Sequence, residues 1–470
     1  MKNYLFLILV VVAIVSFGCK VQNDTSTSTN LPSPTPSGSP LPAPSNVAQT
    51  TQLTLPVLDA LMADDDFVKQ LKERLSVSDD QISSLKRVAS EEVARLRQTN
   101  AEDETGEASD ARSRAQTQIS SIVGNDKAKQ LDDLARNYWA KGGSDTEGTI
   151  GKHAASEFEK TPNAVPSDTR VVVNIPEFRM DLFKDGQLLK SYKIGIGYPE
   201  FPLPQGLRKA QSIIFNPTWT PPDSPWVAKM KDISPGQQIE AGSDLNPLGP
   251  IKVPIGLPSL IHGGKAVSKL GGFASHGCVG LTNSQIKDFA RMLARISGTE
   301  VTDKMVASYL ADKTRTKVVK LSQAVPVELR YETIIAEDGK LHIYKDVYDQ
   351  NTNTEENLRK VLEANGLSWD SLSSEEKAKA TDALNAMSAH PQKTVTTSPS
   401  PVESNANDRG FKKLKPKASP TPSKKQKEIV IDIAGLAGHG YPAPVDLDTG
   451  TGKSTERNTA KSDLNSRGRE

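Results

Sequence analysis

Apolar positions fall along this chain in distinct textures. Between Lys2 and Cys19 they form one unbroken run, Leu5 to Val15, followed by Ser16-Phe17-Gly18. A positive start, an apolar run short for a membrane span and a small-residue exit predict a secretory signal peptide over residues 1–18. Residues 19–55 lose that run. They are Ser, Thr, Pro, Asn and Gln with almost no charge, which predicts a flexible tether, semi-extended where Pro clusters.

From 56 to 142 the spacing turns helical. Phe67, Leu71 and Leu75 recur at four, and Ile82, Leu85, Val88, Val93 and Leu96 follow one stripe behind the capping box Ser78-Asp79-Asp80-Gln81. A polar gap spans 100–113. Ile119, Ile122 and Val123 then carry another helix, Gly124-Asn125 breaks it, and Leu131, Leu134 and Tyr138 resume. Stripes this narrow suit a small bundle, a stalk or a partner-binding module, and a structural spacer is the simplest of these. Gly142-Gly143 opens a linker over 143–168.

From 169 the period shortens to two. Val171-Val172-Val173 and Arg179 to Phe183 read as strands. Lys184-Asp185-Gly186-Gln187 is a hairpin turn, and Leu188 to Ile196 the return. Further short strands fall at Ser212 to Phe215, Ile251 to Val253 and Ser259 to His262, separated by Pro and Gly. A helix follows: Thr282-Asn283-Ser284-Gln285 is a capping box, Ile286, Phe289, Ala290, Leu293 and Ile296 make the buried stripe, and Gly298 lies past its end. Residues 303–348 predict a short helix and a hairpin from Val325 to Tyr344 around Glu337-Asp338-Gly339-Lys340. Residues 349–390 predict two helices, and 391–470 a disordered tail. The fold class expected is β-rich mixed α+β, with a small α-helical module in front and disordered linkers and tail.

Composition narrows the function. The net charge is +1 and 36 % of residues are hydrophobic, so no global field argues for nucleic acid. The run Arg409 to Lys427 holds eight basic residues and no acidic one. It reads first as a solvated tail, and otherwise as a contact for anionic glycan polymers or lipid head groups.

The chain has two cysteines and six histidines. One cysteine, Cys278, stands with His276 inside Gly271-Gly272-Phe273-Ala274-Ser275-His276-Gly277-Cys278-Val279-Gly280. An unpaired thiol outside the cytoplasm is a candidate nucleophile. A free thiol is only a few per cent thiolate at neutral pH, so it needs a base or cation beside it. His276, two positions back, shares its side of an extended segment. His262 ends a predicted strand in Ile261-His262-Gly263-Gly264, and a return over 264–275 would bring it to Cys278. Gly277 lets a ligand approach the backbone closely, and the N–H groups of Gly277 and Cys278 are positioned for an oxyanion hole. A zinc site from His262, His276 and Cys278 is the rival reading, but His-x-Cys is one residue too tight for the usual ligand pair. Neither a metal nor a cofactor is expected.

These residues carry a resemblance. His262-Gly263, a spacer and Ser275-His276-Gly277-Cys278-Val279 resemble the motif of the L,D-transpeptidase catalytic domain of the YkuD type. Gly195-x-Gly197, Pro204-x-Gly206 and Asn246-Pro247-Leu248-Gly249 match it upstream. The likeness covers about 169–302 and implies a β-sandwich or barrel-like domain with its site in a cleft. It implies a peptidoglycan stem peptide as donor and Cys278 as nucleophile. A thioester acyl-enzyme would then pass to an amine, giving a 3→3 cross-link or protein attachment, or to water. It further implies His262 as the base, with the Gly263 carbonyl orienting its other nitrogen, and His276 and Ser275 shaping the site. Trp219 and Trp226 would wall the cleft or be core. Most members carry Arg two residues after the Cys; here stands Gly280, and Lys265, Lys269 and Arg208 are the cations available to replace that charge. Gly18-Cys19 likewise resembles a bacterial lipobox, implying lipid on Cys19 and an extracytoplasmic, membrane-anchored lipoprotein. Two other functions stay open: a carboxypeptidase or amidase on the same donor, and a non-catalytic cell-envelope binding module.

Overall fold

The computed structural model describes residues 53–98, 108–140, 161–221, 232–234, 236–256, 259–388 and 426–451. The signal peptide, Cys19, most of the 143–168 linker, Trp226 and all but the end of the basic run lie outside the described residues.

The helical module comprises α1 (Leu55–Met62), α2 (Asp65–Leu75), α3 (Asp79–Gln98), α4 (Ala108–Val123) and α5 (Asn125–Ala140). Its stripes meet in one core around Leu58, Phe67, Leu71, Leu85 and Leu131, and the Ser78/Gln81 box is made in both directions. α4 begins inside the stretch read as a polar gap. Its buried face there is Ala108, Ala111 and Arg112, and small residues with one arginine do not register as an apolar stripe. Arg112 donates to the carbonyls of Tyr348 and Asp349, and the Thr54 hydroxyl donates to the Glu200 carbonyl at 2.8 Å. The module is therefore fastened to the loops beside the β-sheet.

The sheet domain contains β1 (Arg170–Asn174), β2 (Arg179–Lys184), β3 (Gln187–Lys193), β4 (Ile196–Gly197), β5 (Gly206–Phe215), β6 (Ile251–Pro254), β7 (Leu260–His262), β8 (Phe273–Ser275), β9 (Val279–Gly280) and β10 (Lys317–Arg330), with α6 (Asn283–Ile296) and α7 (Asp303–Ala311). Eight of these strands form one mixed sheet curled into a half-barrel, in the order β3-β2-β1-β10-β5-β6-β7-β9. β1 pairs β10, and β7 pairs β9, in parallel. α6 lays Ile286, Phe289, Ala290 and Leu293, all fully buried, against it, and its Thr282/Gln285 capping box is closed.

Two expectations are corrected here. The sequence places residues 303–348, with their hairpin, beyond the 169–302 stretch that resembles the catalytic domain, yet β10 lies between β1 and β5 at the centre of the sheet. Its exposed first half and Pro326 disguise it, and the register shift between Lys320 and Val325 lets Pro326 sit opposite Lys209. The tail, expected to be disordered from 391, is ordered over 426–451. β13 (Glu428–Asp432) pairs β12 (Lys340–Tyr344), which pairs β11 (Ile334–Glu337). This small sheet packs on α8 (Glu355–Ala364) and α9 (Ser374–Met387). The chain then runs along β3, where Val445 and Asp448 accept from the amides of Ser191 and Lys193. The β-branched run Ile429-Val430-Ile431 is hidden by the low-complexity stretch before it and by a partner some ninety positions away.

Candidate active site

Cys278 sits just before β9, and His262 ends β7. Parallel pairing sets Ile261 opposite Val279 and His262 opposite Gly280, so the histidine ends one strand and the thiol immediately precedes its neighbour. β6 completes the wall, with Lys252 directly across from His262.

His262 is 3 % exposed. Its Nδ1 lies 2.7 Å from the Gly263 carbonyl, which accepts only, so Nδ1 carries the proton and Nε2 the lone pair. Burial, followed by the nearby Lys265 ammonium, drives its pKa down to about 3, against the opposing carbonyls of Gly263 and Leu248. The imidazole is therefore neutral at physiological pH, the state a base requires. The turn after it is held by Asn283, whose Oδ1 accepts from Gly264 N–H at 2.8 Å. Asn283 was read from sequence only as part of a helix cap.

The Cys278 thiol is a free, partly exposed group. Enclosure raises its pKa; the Leu260 N–H aimed at the sulfur and the ammonium groups of Lys265 and Lys252 oppose that rise. At rest the Cys278 thiol and the His262 imidazole are therefore both held in their neutral forms.

The other half of the site is the loop 275–278. Ser275 Oγ donates to the Cys278 carbonyl at 2.6 Å and accepts from the Cys278 N–H at 2.9 Å. Ser259 Oγ donates to the Gly277 carbonyl at 2.9 Å. The Cys278 amide, expected in an oxyanion hole, is therefore already engaged, and of the two amides expected only that of Gly277 is left unpaired. Gly277 has φ +94°, a conformation other residues rarely adopt. That kink ends the extended segment on which the same-side argument for His276 rested. The His276 ring instead packs edge-on to Phe201 (4.6 Å between centroids) and against Tyr198 (5.5 Å). Behind them, Tyr348 Oη donates to the Gly197 carbonyl at 2.8 Å and accepts from Leu203 N–H. Trp219 is core, packed with Ile233, Ile239 and Leu248.

Sequence reasoning missed Lys252, Ser259 and the Leu260 amide. A lysine on a strand with alternating burial looks like any solvated position, and a backbone amide has no sequence signature. Among the described residues no set of His, Cys, Asp and Glu converges as a metal site.

Comparison with known proteins bears on the type of this domain. Residues 168–319, about a third of the chain, match the family model of YkuD, the L,D-transpeptidase catalytic domain, and this segment is a domain of that type. Among solved structures, similarity is found to one described as the Ldtfm-avibactam carbamoyl enzyme, at 18 % identity over 35 % of this chain and 49 % of that one, TM-score 0.23. The catalytic domain of the E. faecium L,D-transpeptidase matches at 18 % identity over 36 % of this chain and all of that one, TM-score 0.23. An L,D-transpeptidase from Mycobacterium smegmatis matches at 16 % identity over 35 % and 58 %, TM-score 0.22. The chain thus spans about half the length of the first of these. No curated protein matches it.

Proposed function

We propose that this chain is a cell-envelope L,D-transpeptidase in which Cys278 is the nucleophile and His262 the general base. The observation that carries the reading is the neutral, buried His262, its Nδ1 bonded to Gly263, at the end of the strand beside the one that Cys278 leads into. In the acylation step Sγ bonds to the carbonyl carbon of the third residue of a peptidoglycan stem. The bond to the terminal D-residue breaks, and the thiol proton travels through Nε2 to the leaving amine. An acceptor amine then attacks the thioester and releases the thiol. The Gly277 N–H is the donor best placed for the oxyanion. An extracytoplasmic location follows from the substrate. Lipid on Cys19 and contact of the 409–427 run with anionic polymers belong to the same proposal on sequence grounds alone. No helix among the described residues is long and apolar enough to cross a membrane.

Purified protein incubated with tetrapeptide muropeptides is expected to yield cross-linked dimers. Tripeptide without dimers would make it a carboxypeptidase instead. A carbapenem is expected to add its mass to Cys278, and Cys278→Ala to abolish both adduct and activity. An adduct surviving that substitution would overturn the assignment.

A further inference from the structure

The absence of a side chain at Gly280 is filled by another residue. A methyl group at position 280 would stand 2.8 Å from Lys265 Cγ, 3.1 Å from Cε and 3.4 Å from Cδ. The lysine stem therefore lies across the glycine. Its backbone is anchored there, since Lys265 N–H donates to the Leu281 carbonyl at 3.0 Å, while Gly280 exchanges both backbone hydrogen bonds with Gly195. Lys252 approaches from the other side, across the sheet from His262. Both ammonium groups act electrostatically on Cys278 and on His262. Among the described residues neither has an acidic partner, and burial disfavours the charge of each. Two half-buried lysines converging on a thiol without a carboxylate between them form an incomplete charge cluster.

We propose that Lys265, laid over Gly280, and Lys252 form the subsite that holds the carboxylate of the residue leaving from the donor peptide. The inference rests on the acyl-transfer reading above. When Cys278 attacks the carbonyl before a terminal residue, the free carboxylate lies within about 4 Å of the scissile carbon along the backbone. It then falls between the two cations that surround the thiol. The subsite selects stems with a free C-terminal carboxylate over amidated ones, and Gly280 is required because any side chain there displaces Lys265.

The test compares wild type, Lys265→Met, Gly280→Ala and the double variant Lys265→Ala/Gly280→Arg, in which alanine clears the stem from the space over position 280, on a tetrapeptide stem and on its C-terminal amide. The wild type is expected to prefer the free acid by tenfold or more in kcat/KM, mostly through KM. Lys265→Met and Gly280→Ala should both erase the preference, although Gly280→Ala keeps every charge. The double variant should recover much of it. Independently of turnover, N-acetyl-D-alanine should slow iodoacetamide alkylation of Cys278 in the wild type. N-acetyl-D-alaninamide should not, and Lys265→Met should lose the protection. Equal protection by acid and amide, or an unchanged preference in Lys265→Met, overturns the subsite. Protection without any turnover would leave the subsite standing and remove the transpeptidase reading.

Discussion

The two halves of the site are built on different principles. The 262–265 turn is a strand end wedged between β6, β9 and Asn283, and its chemistry is set by burial and by two lysines. The 275–278 loop has almost no regular structure. It is held by hydroxyl groups, Ser275 on Cys278 and Ser259 on Gly277, and by the Phe201 and Tyr198 rings packed against His276. The proposed base is thus fixed by the sheet, whereas the proposed nucleophile is fixed by side chains that reach its loop from three segments. The base should therefore be sensitive to its own identity and the nucleophile to its supports.

The largest effect is expected at the base. His262→Gln should lower the acylation rate by about 100-fold or more while iodoacetamide still labels Cys278; an unchanged rate would assign the proton elsewhere. Ser275→Ala removes two of the three hydroxyl hydrogen bonds that shape the loop of Cys278, each worth about 1 kcal/mol, and is expected to slow acylation about tenfold. A rate that rises because the Cys278 amide is released would show that amide to be the oxyanion donor after all.

Acid titration separates the halves further. In the folded protein His262 binds a proton only near pH 3, whereas the unfolded chain takes it up near the ordinary value of about 6.5. The stabilising contribution is complete above that value and is lost as pH falls towards 3. Between these limits the wild type should lose about 1.4 kcal/mol more per pH unit than His262→Gln, read from denaturant unfolding. Parallel slopes would contradict a buried neutral imidazole. The thiol shifts the other way, so alkylation of Cys278 should keep rising with pH beyond the ordinary thiol range, with no plateau at neutrality. The smallest effect is expected from the support furthest from the sulfur. Tyr348→Phe leaves the Gly197 carbonyl and the Leu203 amide without their partner and should cost about 1–3 kcal/mol of stability, with a several-fold loss of acylation rate.

Legibility from sequence followed the range of the interactions. The α6 cap, the Asp-Gly hairpins and the glycine-flanked thiol were readable because each is decided within a few residues. The helices of the N-terminal module were readable except where alanine replaced the larger apolar residues at the start of α4. β10 and β13 were not legible because their pairing partners lie far away, and because proline interrupts β10 while a long low-complexity stretch precedes β13.

The sequence by itself determined the residue types at the site and the turn that only glycine accepts at 277, since these are local covalent and steric facts. The tertiary structure alone decided that His262 is neutral, because burial sets its proton affinity, aided by Lys265 in its own turn and Lys252 from the neighbouring strand. It decided that Ser275 takes the amide expected for the oxyanion. It also decided that the empty position 280 is occupied by Lys265, because only folding brings a side chain from fifteen residues away across a glycine.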